Sequence, residues 1–119
     1  MARVLIVDDA SFMRTVLGDL LTGAGHEVVG EAKDGFEAVE QFQILRPELI
    51  TLDVTMPAKD GLSALAEIMA IDPAARVVMC SSFGHERKVL ESIRLGARDF
   101  VVKPFEPDHL VEAVDRALT

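Results

Sequence analysis

The stretch Leu49-Ile50-Thr51-Leu52-Asp53 places four apolar or β-branched residues directly before a carboxylate. A continuous run of this kind predicts a strand buried on both faces, because a strand with one wet face alternates apolar with polar. The arrangement recurs on either side. Upstream, Val4-Leu5-Ile6-Val7 ends at Asp8-Asp9. Downstream, Val77-Val78-Met79-Cys80 ends at Ser81, and Phe100-Val101-Val102 ends at Lys103. Glu27 to Ala32 is more polar and reads as a strand at the sheet edge.

Amphipathic stretches separate these runs. Phe12, Val16 and Leu20 recur four apart, with Met13, Leu17 and Leu21 beside them, which predicts a helix face closed by Gly23 and Gly25. Asp34 with Glu37 three residues on reads as a helix start, and Phe36, Val39, Phe42 and Leu45 continue that helix to Pro47. Leu62, Leu65, Ile68 and Met69 mark a third helix, Val89, Leu90 and Ile93 a fourth. Leu110, Val111, Val114 and Leu118, after Pro107 at a helix start, mark a fifth. Five strand-helix pairs in strict alternation predict an α/β fold, a doubly wound parallel sheet with helices on both faces. No linker, low-complexity tract or internal repeat interrupts the 119 residues, so one domain over 1–119 is expected.

Composition narrows the function. Apolar residues make up 50% of the chain, enough to form a core. The net charge of -8, from 12 basic and 20 acidic residues, disfavours nucleic-acid binding. No apolar run is long enough for a bilayer and no signal segment opens the chain, so a cytoplasmic location with no membrane partner is expected. Cys80, the single cysteine, reads as a buried structural thiol. His26, His85 and His109 have no metal-site spacing and read as surface or loop residues. The five methionines read as core filler. Arg76, Arg87, Lys88, Arg94, Arg98 and Lys103 fall in the last third, a stretch suited to an acidic partner.

In a doubly wound sheet, ligands bind beyond the C-terminal ends of the strands. Asp8, Asp9, Asp53, Ser81 and Lys103 should therefore meet on one rim. Singly, each has a plain structural use: Asp9 as a helix cap, Asp53 as a turn former, Ser81 as a loop hydroxyl, Lys103 as a solvated charge. Together, three carboxylates repel one another unless a cation sits among them. Mg²⁺, a hard ion with oxygen ligands, suits two carboxylates and a backbone carbonyl. A metal, a lysine and a hydroxyl around one nucleophilic carboxylate describe phosphoryl transfer.

Asp8-Asp9, then Asp53-Val54-Thr55-Met56-Pro57 ending at Gly61, then Ser81-Ser82, then Phe100-Val101-Val102-Lys103-Pro104-Phe105, resemble in this order the receiver domains of bacterial response regulators. The resemblance covers essentially the whole chain and is nearest to the stand-alone chemotaxis regulators of that family. It implies a flavodoxin-like sheet of order 2-1-3-4-5 with five helices. It implies Asp53 as phosphoacceptor from a histidine kinase, and Mg²⁺ bound by Asp9, Asp53 and the Thr55 carbonyl, with Asp8 acting through a metal-bound water. Lys103 would contact the phosphoryl group, its bond to Pro104 cis. Ser81 would move toward that group while Phe100 turns inward, the small Ser82 would leave access, and Thr55 and Phe83 would tune hydrolysis. Partner binding would switch on the surface of the fourth helix, fifth strand and fifth helix, in control of the flagellar motor. The implied partners are a kinase, a motor switch protein and a phosphatase, and the chain itself would be a monomer that catalyses only its own phosphorylation and dephosphorylation. Ser81 stands where Thr is commoner, and Phe100 stands where the best-known chemotaxis members have Tyr, which removes a hydroxyl from partner recognition.

Three alternatives stand beside this reading. A flavodoxin-like cofactor binder is disfavoured because Asp8-Asp9 would repel a flavin phosphate. A receiver excised from a longer regulator with DNA-binding or enzymatic output would look similar in sequence, and the absence of a linker remnant favours the stand-alone reading. A phosphorelay shuttle would look the same in sequence.

Overall fold

The computed structural model describes residues 1–82 and 86–119. The elements are β1 (Arg3–Val7), α1 (Ser11–Gly23), β2 (Glu27–Ala32), α2 (Gly35–Leu45), β3 (Leu49–Asp53), α3 (Gly61–Ile71), β4 (Val77–Ser82), α4 (Glu86–Leu95), β5 (Asp99–Lys103) and α5 (Pro107–Leu118). All strand pairings are parallel, and the order is β2-β1-β3-β4-β5. The run that reads as most continuous in sequence, β3, is central and buried at every residue. The polar run, β2, is at the edge.

Two apolar layers flank the sheet. Leu5, Val7, Ile50, Leu52 and Met79 face Ala38 and Phe42 of α2 and Ala64, Leu65 and Ile68 of α3. Val4, Ile6, Val78, Cys80 and Val101 face Leu17 and Leu21 of α1 and Leu110, Ala113, Val114 and Ala117 of α5. Alternate residues of one strand serve opposite layers, as the period of two demands. Cys80 is buried, and burial pushes its thiol up to about 12, which keeps it protonated and inert.

Helix starts follow the expected chemistry where an acid is available. Asp34 Oδ1 accepts from the Glu37 N–H at 2.9 Å, while Glu37 Oε1 accepts from the Lys33 N–H at 3.1 Å. Asp60 Oδ1 caps α3 by accepting from the Ser63 N–H at 2.8 Å. Each such cap contributes about 1 kcal/mol. Helix α1 differs: its cap residue is Ala10, with no side-chain cap, so Asp9 does not serve as one.

Several sequence expectations fail: Phe36 of the α2 repeat and Met1, read with the other methionines as core filler, are both exposed, and three further cases are instructive. Phe12 belongs to the α1 repeat yet is 73% exposed. It sits in the first turn, beside Asp8 and Asp9 at the strand ends, and helps wall the acidic cleft instead of the core. In α4, Leu90 and Ile93 are exposed and the buried residue is Ser92, whose hydroxyl donates to the Val89 carbonyl at 2.7 Å. His26 is buried and not a surface residue: its Nδ1 accepts from the Ala2 N–H at 3.1 Å and ties the N-terminus to the turn after α1. His109 is exposed as expected, and His85 lies outside the described residues.

Candidate functional site

Four strand ends build the site. Asp8 follows β1, Asp53 ends β3, Ser81 and Ser82 end β4, and Lys103 ends β5. Parallel pairing brings these ends to one rim, with Asp53 opposite Cys80 and Ser82 opposite Lys103 in register. Asp8, Asp9, Ala10, Phe12, Met13, Asp53, Thr55, Ser82 and Lys103 line a single cleft there.

Asp8 is held from several sides. Its N–H donates to the Ala32 carbonyl at 3.0 Å, its Oδ1 accepts from the Ala10 N–H at 3.0 Å, and its Oδ2 meets Lys103 Nζ at 2.5 Å. Lys103 Nζ also lies 3.5 Å from Asp53 Oδ2, so one ammonium bridges two buried carboxylates. Burial alone would lower the Lys103 ammonium's pKa. The Asp8 hydrogen bond and the charges of Asp53 and Asp8 outweigh it and hold the group above its usual range.

Asp53 behaves differently. Its carboxyl is pushed up from 3.8 to about 6, first by burial, which outweighs the lowering by Lys103; Asp8 adds a further upward push. The Thr55 N–H reaches its Oδ1 at 3.4 Å. A carboxylate this crowded gains from an added cation. One oxygen each from Asp8, Asp9 and Asp53 lie within 4.8 Å of one another, and Asp9 is open to solvent. The donor set is all hard oxygen, with a buried wall and an open entrance, so these residues fit a hard divalent cation.

The backbone around Asp53 is set by Gly61. A Cβ at this first residue of α3 would lie 1.9 Å from the Asp53 carbonyl oxygen. The Gly61 N–H donates to the Val54 carbonyl at 2.8 Å, so the helix start packs directly on the strand end. The Lys103–Pro104 bond is cis, as the resemblance implies. Ser81 is buried beside the site, its hydroxyl 3.4 Å from the Ser82 carbonyl. Phe100 is partly buried, packs on the α2–α3 layer, and lines a groove with Val102, Phe105 and His109. Phe83 lies outside the described residues.

The sequence of receiver domains matches this chain over residues 4–115, under the description "Response regulator receiver domain". The chain belongs to the response regulator receiver family. Chemotaxis protein CheY of Thermotoga maritima is 53% identical over 114 residues, 96% of this chain and 95% of that protein. CheY of Bacillus subtilis is 49% identical over 98% of this chain and 97% of its own length. Among solved structures, the CheX-CheY-BeF3-Mg complex of Borrelia burgdorferi superposes with a TM-score of 0.94 at 36% identity, covering 98% of this chain and 89% of that one. These relatives place the chain among the chemotaxis response regulators.

Sequence reasoning missed two contributors to this receiver's site. Phe12 was assigned to the core by its spacing. Arg14, unremarked in sequence, donates from Nη1 to the Asp8 carbonyl at 2.7 Å. A basic residue one turn after an acidic pair is the only signal that marks it. The basic stretch also divides. Arg87, Lys88 and Arg94 belong to α4, whereas Arg76 precedes β4 and Arg98 precedes β5, at the opposite end of the sheet from the acids.

Proposed function

We propose that residues 1–119 act as one switch in which Asp53 accepts a phosphoryl group from a histidine kinase, with Mg²⁺ held by Asp9, Asp53 and the Thr55 carbonyl. The observation that carries this is the convergence of Asp8, Asp9 and Asp53 around a single lysine at the strand ends. An Asp53 oxygen attacks phosphorus as the bond from phosphorus to the donor's histidine nitrogen breaks, leaving an acyl phosphate on Asp53. Bound Mg²⁺ supplies charge neutralisation to the transferring group. Lys103 is anchored by Asp8 and adds a second positive charge beside Asp53. Asp8 positions that ammonium and leaves Asp53 as the nucleophile. The dianion so formed draws on Ser81 and Lys103, the ends of β4 and β5, and so biases the adjoining α4–β5–α5 surface with Phe100 at its edge. Thr55, open to solvent at the cleft, and Phe83 tune hydrolysis of the product.

On this reading the protein is no enzyme toward other substrates. Its partners are a kinase, a flagellar motor switch protein and a phosphatase, and it works as a cytoplasmic monomer. The supporting facts are the CheY relatives and the lack, among the described residues, of a helix long and apolar enough to cross a membrane.

The test is intact mass after incubation with acetyl phosphate, with and without Mg²⁺. One added phosphoryl group on the wild type, dependent on Mg²⁺ and absent in Asp53→Asn, is the expected outcome. Equal phosphorylation of Asp53→Asn would overturn the assignment of the nucleophile.

A further inference from the structure

We infer that Arg14 is a positioning residue for cation binding at the acidic rim, and that Glu31 holds it in place. Arg14 sits one turn into α1. Its Nη1 donates to the Asp8 carbonyl at 2.7 Å, and its Nε donates to Glu31 Oε1 at 2.8 Å. The planar guanidinium thus links the edge strand β2 to the peptide that joins Asp8 to Asp9.

That peptide needs such a link. Asp8 is clamped through its N–H and both carboxylate oxygens. Asp9 is exposed, and α1 begins without a side-chain cap. The orientation of the Asp8 carbonyl sets the direction in which the chain leaves toward Asp9. Arg14 holds that carbonyl. Without it the Asp8–Asp9 peptide can rotate, and the Asp9 carboxylate spends less time turned toward Asp53. Glu31 is about half exposed, so its ion pair with Arg14 contributes little to stability, and its use is geometric.

Charge alone predicts the opposite effect from position. A guanidinium next to Asp8 repels an incoming dication, so removing its charge by itself would tighten binding. Loss of positioning weakens it. The two effects of Arg14 therefore differ in sign, and a variant that keeps the charge isolates the geometry.

This inference rests on the cation reading above. The experiment is an MgCl₂ titration of melting temperature by calorimetry on wild type, Arg14→Lys, Arg14→Met, Glu31→Ala and Glu31→Gln, since ligand binding to the folded state raises the transition by mass action. Supporting residues around metal ligands typically change affinity by tenfold or more, and for this one, which holds a backbone carbonyl and not a ligand atom, a rise of about fivefold in half-saturating Mg²⁺ is expected for both Arg14 variants. Glu31→Ala should show about half of that effect on a logarithmic scale, and Glu31→Gln, which keeps an acceptor, should match wild type. Phosphorylation from acetyl phosphate should recover at saturating Mg²⁺ in every variant. Wild-type affinity in Arg14→Lys, or tighter binding in Arg14→Met, would overturn the inference and leave the cation site standing. Absence of any Mg²⁺ response in wild type would overturn the site and the inference together.

Discussion

Helices α3 and α4 pack side by side on one layer, yet they are built on opposite terms. Helix α3 buries Gly61, Ala64, Leu65 and Ile68 and has an Asp60 cap. Helix α4 turns Leu90 and Ile93 to solvent, 66% and 49% exposed, and buries Ser92 in their place. The strands beside them differ likewise. Every residue of β3 is buried, whereas Val102 and Lys103 of β5 are partly open. The half that holds the acids is packed as a rigid frame, and the half next to Lys103 is held lightly. A switch needs both: fixed groups that take up charge, and an element whose rearrangement costs little.

The comparison breaks most directly through truncation. Leu65→Ala removes a fully buried side chain from the α3 stripe and should cost about 3 kcal/mol, whereas Leu90→Ala should cost less than about 0.5 kcal/mol. Urea melts of the two variants decide it, and comparable losses would mean that α4 is packed as firmly as α3.

A smaller effect tests the strain in the rigid half. The folded-state carboxyl of Asp53 lies at about 6 against 3.8 for an ordinary aspartate. The folded chain therefore keeps a proton that the unfolded chain releases between about pH 4 and pH 6, and stability falls as pH rises through that window. Above it the cost is fully present. With divalent ions chelated, Asp53→Asn should be more stable than wild type by about 2 kcal/mol at pH 7.5, and the gain should fade as pH drops from about 6 to about 4. A gain independent of pH would show that the carboxylate's charge is not its source.

The smallest effect on stability belongs to the open half. Arg87 and Arg94 flank Leu90 in a shallow cleft on α4. Reversing both to Glu should change stability by less than about 0.5 kcal/mol. It should weaken binding of an acidic peptide to the beryllofluoride-loaded protein by about tenfold, read by calorimetric titration. Unchanged affinity would move the partner surface off α4.

Much of this was legible beforehand because local chemistry agrees with global placement. Continuous apolar runs marked the strands and their central or edge position, and acids, a serine and a lysine directly after those runs had to share a rim once the strands were parallel. Asp34 caps its helix through a bond that spans three residues, so sequence distance suffices there. The failures lie where a helix meets its neighbours. Periodicity names a stripe but not what faces it. At Phe12 the sheet has ended, and around Ser92 the layer is closed by the helix's polar side.

Sequence alone determined the alternation of strands and helices, the edge position of β2 and the identity of the acidic rim. These follow from the period of each element and from residues adjacent along the chain. Only the tertiary structure decided that Lys103, 95 positions from Asp8, bridges Asp8 and Asp53, that Arg14, paired with Glu31, donates to the Asp8 carbonyl, and that α4 presents its leucine and isoleucine to solvent. Those are distances between elements, set by how layers pack, and no spacing along one chain encodes them.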